Sequence, residues 1–501
     1  MVNDQHQHTP WLDRLERAGN ALPHPATLFA LAWVAVLLLS QIAAWAGWSV
    51  QRPVTDGVVS ETVNARGLLT SDGLWWSLSS MVDNFIAFPP LGIVLVGMFG
   101  IGLAERSGLL PALLDSALRV TPSRLLTPAV VLVGILSSVT MDAGYVVLPP
   151  LAAILFHAAG RPPLAGLAAA FAGVSAGFSA NLMITALDPL LAGFTQSGAA
   201  IVEPDYRVAV TANWWLMIAS TVLLTLLGWW VTARFVEPRQ SLGGPAGEEG
   251  DALEAGPAPG RGLRAAAWAL VVVLAFTLAA ILVPGAPLHG SGEHFARWVE
   301  AMVPLLFLWF LFPGLAYGIA AGTIRSDRDA ARMMADTIAT LAPYIVLAFF
   351  AAQFIEAFRH SELGLLLAIS GGQALAGLAL PTPVLLIAFM LLVMGANLLV
   401  GSASAKYAFL APVFVPMLML ADVQPELTQA AYRIGDSVTN IITPLNPYWV
   451  IVLAVAQRWR PDAGIGTLVA LMLPYAAVFA VVWPLMLVAW AVLGLPLGPG
   501  A

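Results

Sequence analysis

Apolar runs long enough to cross a bilayer recur along the whole chain. A transmembrane helix needs about 20 predominantly apolar residues. Stretches of that kind lie near 26–48, 88–105, 164–195, 212–233, 265–284, 299–321, 338–357, 428–456 and 467–495. The pattern predicts an all-α polytopic membrane protein with nine transmembrane segments. Composition agrees: 59% of the 501 residues are hydrophobic and 10% charged. A soluble domain carries roughly 25% charged residues, so the charge here is too sparse to cover a water-soluble body of this size. That excludes a soluble enzyme and a disordered chain. A net charge of −7 with 22 basic residues argues against a polyanion partner such as a nucleic acid. The first apolar stretch follows Arg14 and Arg17 and looks somewhat like a signal peptide. It is too long and lacks a clear small-residue cleavage site, so we read it as a retained span.

Basic residues in short loops set orientation. With a cytoplasmic N-terminus, fifteen arginines fall inside: 14, 17, 106, 119, 124, 161, 234, 239, 261, 264, 325, 328, 332, 458 and 460. Five fall outside: Arg52, Arg66, Arg207, Arg297 and Arg359. The asymmetry predicts an inside N-terminus and an outside C-terminus. Residues 49–84 read as a polar outer cap. Residues 237–262, rich in Gly, Pro, Ala and acid, read as a flexible cytoplasmic linker. It divides the chain into halves 1–236 and 263–501.

The halves repeat. Segments 126–156 and 381–420 are both apolar stretches interrupted by a small, hydroxyl-rich tip. Ser138-Val-Thr140-Met-Asp142 aligns with Ser402-Ala-Ser404-Ala-Lys406, and Pro149, Pro150 and Pro412 follow the tips. Downstream, Asn181-Leu-Met-Ile-Thr185-Ala-Leu-Asp188-Pro189 parallels Asn440-Ile-Ile-Thr443-Pro-Leu-Asn446-Pro447. Gly177 and Ser179 precede the first asparagine; Gly435 and Ser437 precede the second. The first segment begins and ends on the inner side and the second on the outer side. Both therefore read as re-entrant hairpins of an inverted repeat, each followed by a broken helix at 164–195 or 428–456. Such breaks at mid-membrane are the design of secondary transporters, because irregular backbone survives there only inside protein or along a cavity. Oxygens of Ser138, Thr140, Asn181, Ser402, Ser404, Thr439 and Asn440 suit a small hard cation such as Na⁺. The competing reading is that small residues merely let helices approach closely.

Asp142, Asp188, Lys406, Arg433 and Asp436 lie in apolar sequence, where an ionisable group is costly and points to function. Lys406 is the only lysine in the chain. Asp142, Lys406 and Asp436 are possible buried charge partners, with Lys406–Asp142 or Arg433–Asp436 the pairings sequence suggests. Asp188 has no basic neighbour in sequence and reads as a site that loads a proton. No histidine spacing suits a transition metal, and there is no Walker P-loop or nucleophile elbow. No cofactor is implied beyond a coupling ion, Na⁺ or H⁺. An intramembrane aspartyl protease, pairing Asp142 or Asp188 with Asp436, is the enzymatic alternative; Arg433-Ile-Gly-Asp436 lacks the paired glycines of its motif.

Three stretches resemble the AbgT (p-aminobenzoyl-glutamate transporter) family. They are Ser179-Ala-Asn-Leu-Met-Ile-Thr-Ala-Leu-Asp-Pro-Leu-Leu-Ala-Gly193, Ala403-Ser-Ala-Lys-Tyr-Ala-Phe-Leu-Ala-Pro-Val-Phe-Val-Pro-Met417, and Pro425 through Pro444. The resemblance covers nearly the whole chain. It implies a homodimer in the bacterial inner membrane, with nine transmembrane segments and two opposed hairpins per subunit. It also implies kinship with sodium-coupled dicarboxylate carriers, which is the alternative transport reading. Family members are linked to uptake of p-aminobenzoyl-glutamate or to proton-driven export of sulfonamide antimetabolites. The family's acid in the first broken helix matches Asp188, and its proline and arginine after the second hairpin match Pro425 and Arg433. Its tryptophan falls at Tyr407, a departure that keeps an aromatic face. Asn446 stands in the second repeat where Asp188 stands in the first. The expected partners are a small aromatic carboxylate or sulfonamide and the lipid bilayer.

Overall fold

The computed structural model describes residues 25–52, 61–119, 121–140, 143–240, 260–443, 446 and 448–501. Among the described residues, seven helices are long and apolar enough to cross a membrane: Pro25–Trp45, Pro89–Arg106, Trp214–Val236, Gly260–Leu282, Met302–Ala321, Ala342–His360 and Gly466–Val492. They match seven of the nine expected stretches. Several turn bulky apolar side chains outward. Gly260–Leu282 buries only Gly262, Ala266 and Thr277, while Trp268 and Phe276 are 72% and 73% exposed. A surface like that is stable against lipid, not against water.

The other two expected stretches are interrupted. Helix Pro163–Phe171 widens into a π turn at Ala172–Ala176, unwinds, and resumes as Leu187–Ala199. A π turn is a weak point in the helical ladder, the Ser179 and Asn181 side chains beyond it can offer the backbone competing bonds, and Gly177 adds backbone freedom. Asn181 Oδ1 accepts from the Met183 amide at 3.0 Å, closing a local turn in the gap. In the second half, Pro425–Asn440 ends and Trp449–Trp459 begins across a break where Asn446 Oδ1 accepts from Tyr448 N at 3.0 Å.

Both tip-bearing segments fold as two helical arms. Leu126–Leu136 leads through the 3₁₀ turn Ser137–Thr140 to Ala143–Ala158. Thr382–Asn397 leads to Ala403–Met419, whose N-cap Ser402 accepts from Ala405 N at 3.3 Å. Within each segment the arms touch one another.

Contacts between the halves are reciprocal. The second arm of the first broken helix, Leu187–Ala199, packs on the second arm of the second hairpin, Ala403–Met419. In return, Trp449–Trp459 packs on Ala143–Ala158. The long helices Trp214–Val231 and Ile465–Val492, which follow the broken helices, pack on each other. In both halves a glycine lets the first hairpin arm meet the broken helix backbone to backbone. A Cβ on Gly173 would lie 2.5 Å from Val131 O, and one on Gly435 would lie 2.8 Å from Met390 O.

Some elements depart from the sequence reading. Three further helices appear: Leu109–Arg119, Asp327–Thr340 and Leu363–Gly377. The first two are amphipathic and the third has 15 residues, so none meets the length-and-apolarity test for a span. Asp327–Thr340 opens on a capping box, Ser326 with Asp329, and takes the start of the stretch expected at 338–357. The polar outer cap holds an antiparallel hairpin pairing Ser49–Arg52 with Glu61–Asn64, then helices Ser71–Ser79 and Met81–Ile86. Most of the expected linker, 241–259, lies outside the described residues, as do Arg14 and Arg17.

Candidate functional site

The site is organised around a polar helix in an apolar body. Pro425–Asn440 reads PELTQAAYRIGDSVTN, yet every residue from Pro425 to Thr439 is buried. Pro425 sits in its first turn, where a missing N–H costs nothing. Buried polar groups must find partners, and this helix finds them on both halves of the chain.

Arg433 and Asp188 form an ion pair between the halves, Nη2 to Oδ1 at 2.5 Å, with side chains 3% and 1% exposed. Asp188 Oδ2 also accepts from Thr185 N at 2.6 Å and Thr185 Oγ1 at 2.8 Å. Arg433 is less well served. Its Nη1 meets only the Met217 thioether, 2.9 Å away, and its buried Nε has no hydrogen-bond partner. A second buried pair joins Lys406 Nζ to Asp436 Oδ1 at 2.6 Å. The partners therefore differ from those the sequence suggested. Arg433 and Asp436 share a helix face, but each finds its opposite charge on another element. Asp142 lies outside the described residues, as does the side chain of Thr140.

Tyr407 is fully buried, and its ring stacks on Tyr432 with centroids 4.1 Å apart and Phe194 edge-on at 6.4 Å. Its hydroxyl lies 2.8 Å from Thr195 Oγ1, which in turn lies 2.7 Å from Gln429 Oε1. Tyr407 donating to Thr195, and Thr195 to Gln429, satisfies this chain. At the start of the polar helix, the Glu426 carboxylate accepts from Tyr206 Oη at 3.1 and 3.0 Å, and Asn213 Nδ2 donates to Glu426 O at 3.0 Å. Burial, and then the Glu426 charge, push the Tyr206 phenol well above its ordinary range.

The oxygen-bearing residues fall into two groups, one per half. Asn181 Nδ2 donates to Ser138 Oγ at 3.0 Å and to Leu136 O at 3.3 Å. In the second half Asn397 Nδ2 donates to Asp436 O, Thr439 Oγ1 and Asn440 Oδ1 at 2.7, 2.8 and 2.9 Å. Ser404 Oγ lies 3.3 Å from Ser402 Oγ. The two breaks are tied together. Ser179 N donates to Ser437 Oγ at 3.2 Å, and Asn446 Nδ2 donates to Ser175 Oγ at 3.2 Å. No cluster of three or more His, Asp or Glu suited to a metal occurs among the described residues. An open cleft of about 590 Å³, walled in part by Phe88, Gln196, Arg207 and His294, lies elsewhere; none of the residues singled out from sequence lines it.

Sequence reasoning missed Asn397, Thr195, Gln429, Glu426 and Met217. The available signal for two of them was the polarity of 425–440 itself, a stretch too hydrophilic to face lipid and flanked by apolar arms.

The profile of the AbgT putative transporter family matches residues 10–501. The chain belongs to that family. It is 37% identical over 490 residues to the p-aminobenzoyl-glutamate transport protein of Escherichia coli (strain K12), covering 97% of this chain and 95% of that protein. Two solved structures are similar throughout. The YdaH transporter of Alcanivorax borkumensis has a TM-score of 0.90 at 44% identity, covering 95% of this chain and all of that one. MtrF of Neisseria gonorrhoeae, described as illuminating a class of antimetabolite efflux pumps, has a TM-score of 0.90 at 43% identity, covering 98% of this chain and all of that one. AbgT relatives are multi-pass membrane transporters, not enzymes. Membership disposes of the protease reading, and the carboxylates it would need, Asp188 and Asp436, are each committed to a cation.

Proposed function

We propose that this chain is a secondary transporter for aromatic solutes bearing an anionic group, p-aminobenzoyl-glutamate and sulfonamide antimetabolites being the class. It sits in a bacterial inner membrane as a homodimer with its N-terminus cytoplasmic, the arginine asymmetry supporting that orientation. Residues 126–156 and 381–420 are its opposed re-entrant hairpins, and H⁺ or Na⁺ drives it.

The observation that carries the solute class is the incompletely matched Arg433. A buried guanidinium with an unpartnered Nε and only a thioether at Nη1 is an open offer to a carboxylate or sulfonyl oxygen. The Tyr407–Tyr432 stack beside it supplies aromatic surface for an aminobenzoyl ring once those rings part. Asp188 competes with the solute for Arg433. Asn446, Pro425 and the oxygens of Ser138, Asn181, Ser402 and Ser404 shape the breaks around this pair.

The test is counter-flow of p-aminobenzoyl-glutamate and of a sulfonamide in proteoliposomes, with Na⁺ and pH gradients imposed in each direction. The expected result is solute accumulation that responds to an imposed gradient, toward the low-proton side for import by co-transport and toward the high-proton side for proton-driven export. Flux that ignores both gradients overturns the reading.

A further inference from the structure

Lys406 is the one lysine among 501 residues, and it lies in the first turn of Ala403–Met419. An ammonium at a helix N-terminus opposes the helix dipole. Here it is also out of water, its side chain 2% exposed. Two adverse terms at one atom call for a strong local counterweight, and the surroundings supply one. Nζ is held between Asp436 Oδ1, at 2.6 Å, and Asn397 Oδ1. Around these stand Thr439 Oγ1 and Asn440 Oδ1, both bonded to the same Asn397 carboxamide. Asn440 Nδ2 reaches Asp436 Oδ2 at 3.4 Å, and Tyr432 Oη lies 3.3 Å from Oδ1.

Stripped of the amine, this is a buried set of one carboxylate with amide and hydroxyl oxygens drawn from two helices, Thr382–Asn397 and Pro425–Asn440. Hard cations take ligand sets of that kind. The matching cluster of the first half, Asn181 with Ser138 and the Leu136 carbonyl, receives no lysine, because the chain has no other. The halves therefore differ at the position where their symmetry would place like ions.

We propose that the Lys406 ammonium is a tethered substitute for a bound monovalent cation. It occupies the oxygen cluster of Asn397, Asp436, Thr439 and Asn440, and that cluster takes no Na⁺ while the amine is in place. Any Na⁺ used in transport binds elsewhere. This deepens the coupling-ion part of the function proposed above and rests on it for its meaning in transport; its test reads ion binding, so the two fail separately.

The test is thermal unfolding of the purified full chain, titrated with NaCl against choline chloride at constant ionic strength. Lys406→Gln leaves the Asp436 carboxylate with room for an ion. It is expected to gain a saturable, Na⁺-specific rise in Tm of roughly 2 °C or more. The wild type lacks that response, and Lys406→Gln combined with Asp436→Asn loses it again. A Lys406→Gln protein that folds and ignores Na⁺ overturns the proposal. If Lys406→Gln fails to fold, the wild type decides through Thr439→Val, which removes a cluster oxygen and neither charge. The wild type is expected to show no Na⁺-specific rise in Tm before or after that change, and a rise in the wild type that Thr439→Val abolishes places Na⁺ in the cluster and overturns the proposal.

Discussion

The two buried ion pairs have the same charges and opposite characters. Lys406–Asp436 lies within the second half, between its hairpin and its broken helix, and the spare atoms of both partners meet Asn397, Asn440 and Tyr432. Asp188–Arg433 crosses from one half to the other, and the arginine side is left with an unmatched Nε. Taking charge out of water is repaid only when every remaining valence is met. The first pair comes nearer to that condition. The second leaves a guanidinium nitrogen unmatched, and under the proposed function an incoming anion rearranges it.

The sharpest break of this contrast is Asp436→Ala. It strands a buried ammonium and is expected to cost ~3–5 kcal/mol, seen as a lower Tm and a poorer monodisperse yield. Combining Asp436→Asn with Lys406→Gln removes both charges and recovers most of the loss. A mild effect of the single change would mean the closed pair is not structural. Next, Arg433→Lys keeps a positive charge but loses the planar fork. Solute affinity, measured by calorimetry, is expected to fall at least about tenfold, or ~1.4 kcal/mol, while Tm moves little.

Asp188→Asn sharpens the comparison from the acid side. It removes the charge that competes for Arg433, and affinity for the anionic solute, read by the same calorimetry, is expected to rise about tenfold, or ~1.4 kcal/mol. An unchanged affinity removes Asp188 from the site. The smallest effect belongs at the rim. Tyr206→Phe deletes the two hydrogen bonds to Glu426 and is expected to lower stability by about 1 kcal/mol, read in the same thermal assay with solute affinity unaltered.

Periodicity and local chemistry were readable in advance, and pairing was not. The long apolar runs stood out because hydrocarbon thickness sets a length that any span must satisfy. Gly177, Ser179 and Asn181 announced a break because the first frees the backbone and the others offer it bonds that compete with a helix. Arg433 and Asp188 are 245 positions apart, and nothing in their flanking residues says they meet; only the reciprocal packing of the halves brings them together. The sequence pairs Lys406 with Asp142, and the choice of Asp436 instead follows from the register of Ala403–Met419 against Pro425–Asn440. Leu363–Gly377 escaped notice because its apolar run is shorter than a bilayer, and Asp327–Thr340 because its capping box adjoins a stretch already read as a span.

The bonds from Ser179 to Ser437 and from Asn446 to Ser175 fasten the elbow of each half to the elbow of its counterpart. Straightening either elbow would cost a bond to the other, so the hydroxyls of Ser175 and Ser437 act as rivets between the two bends.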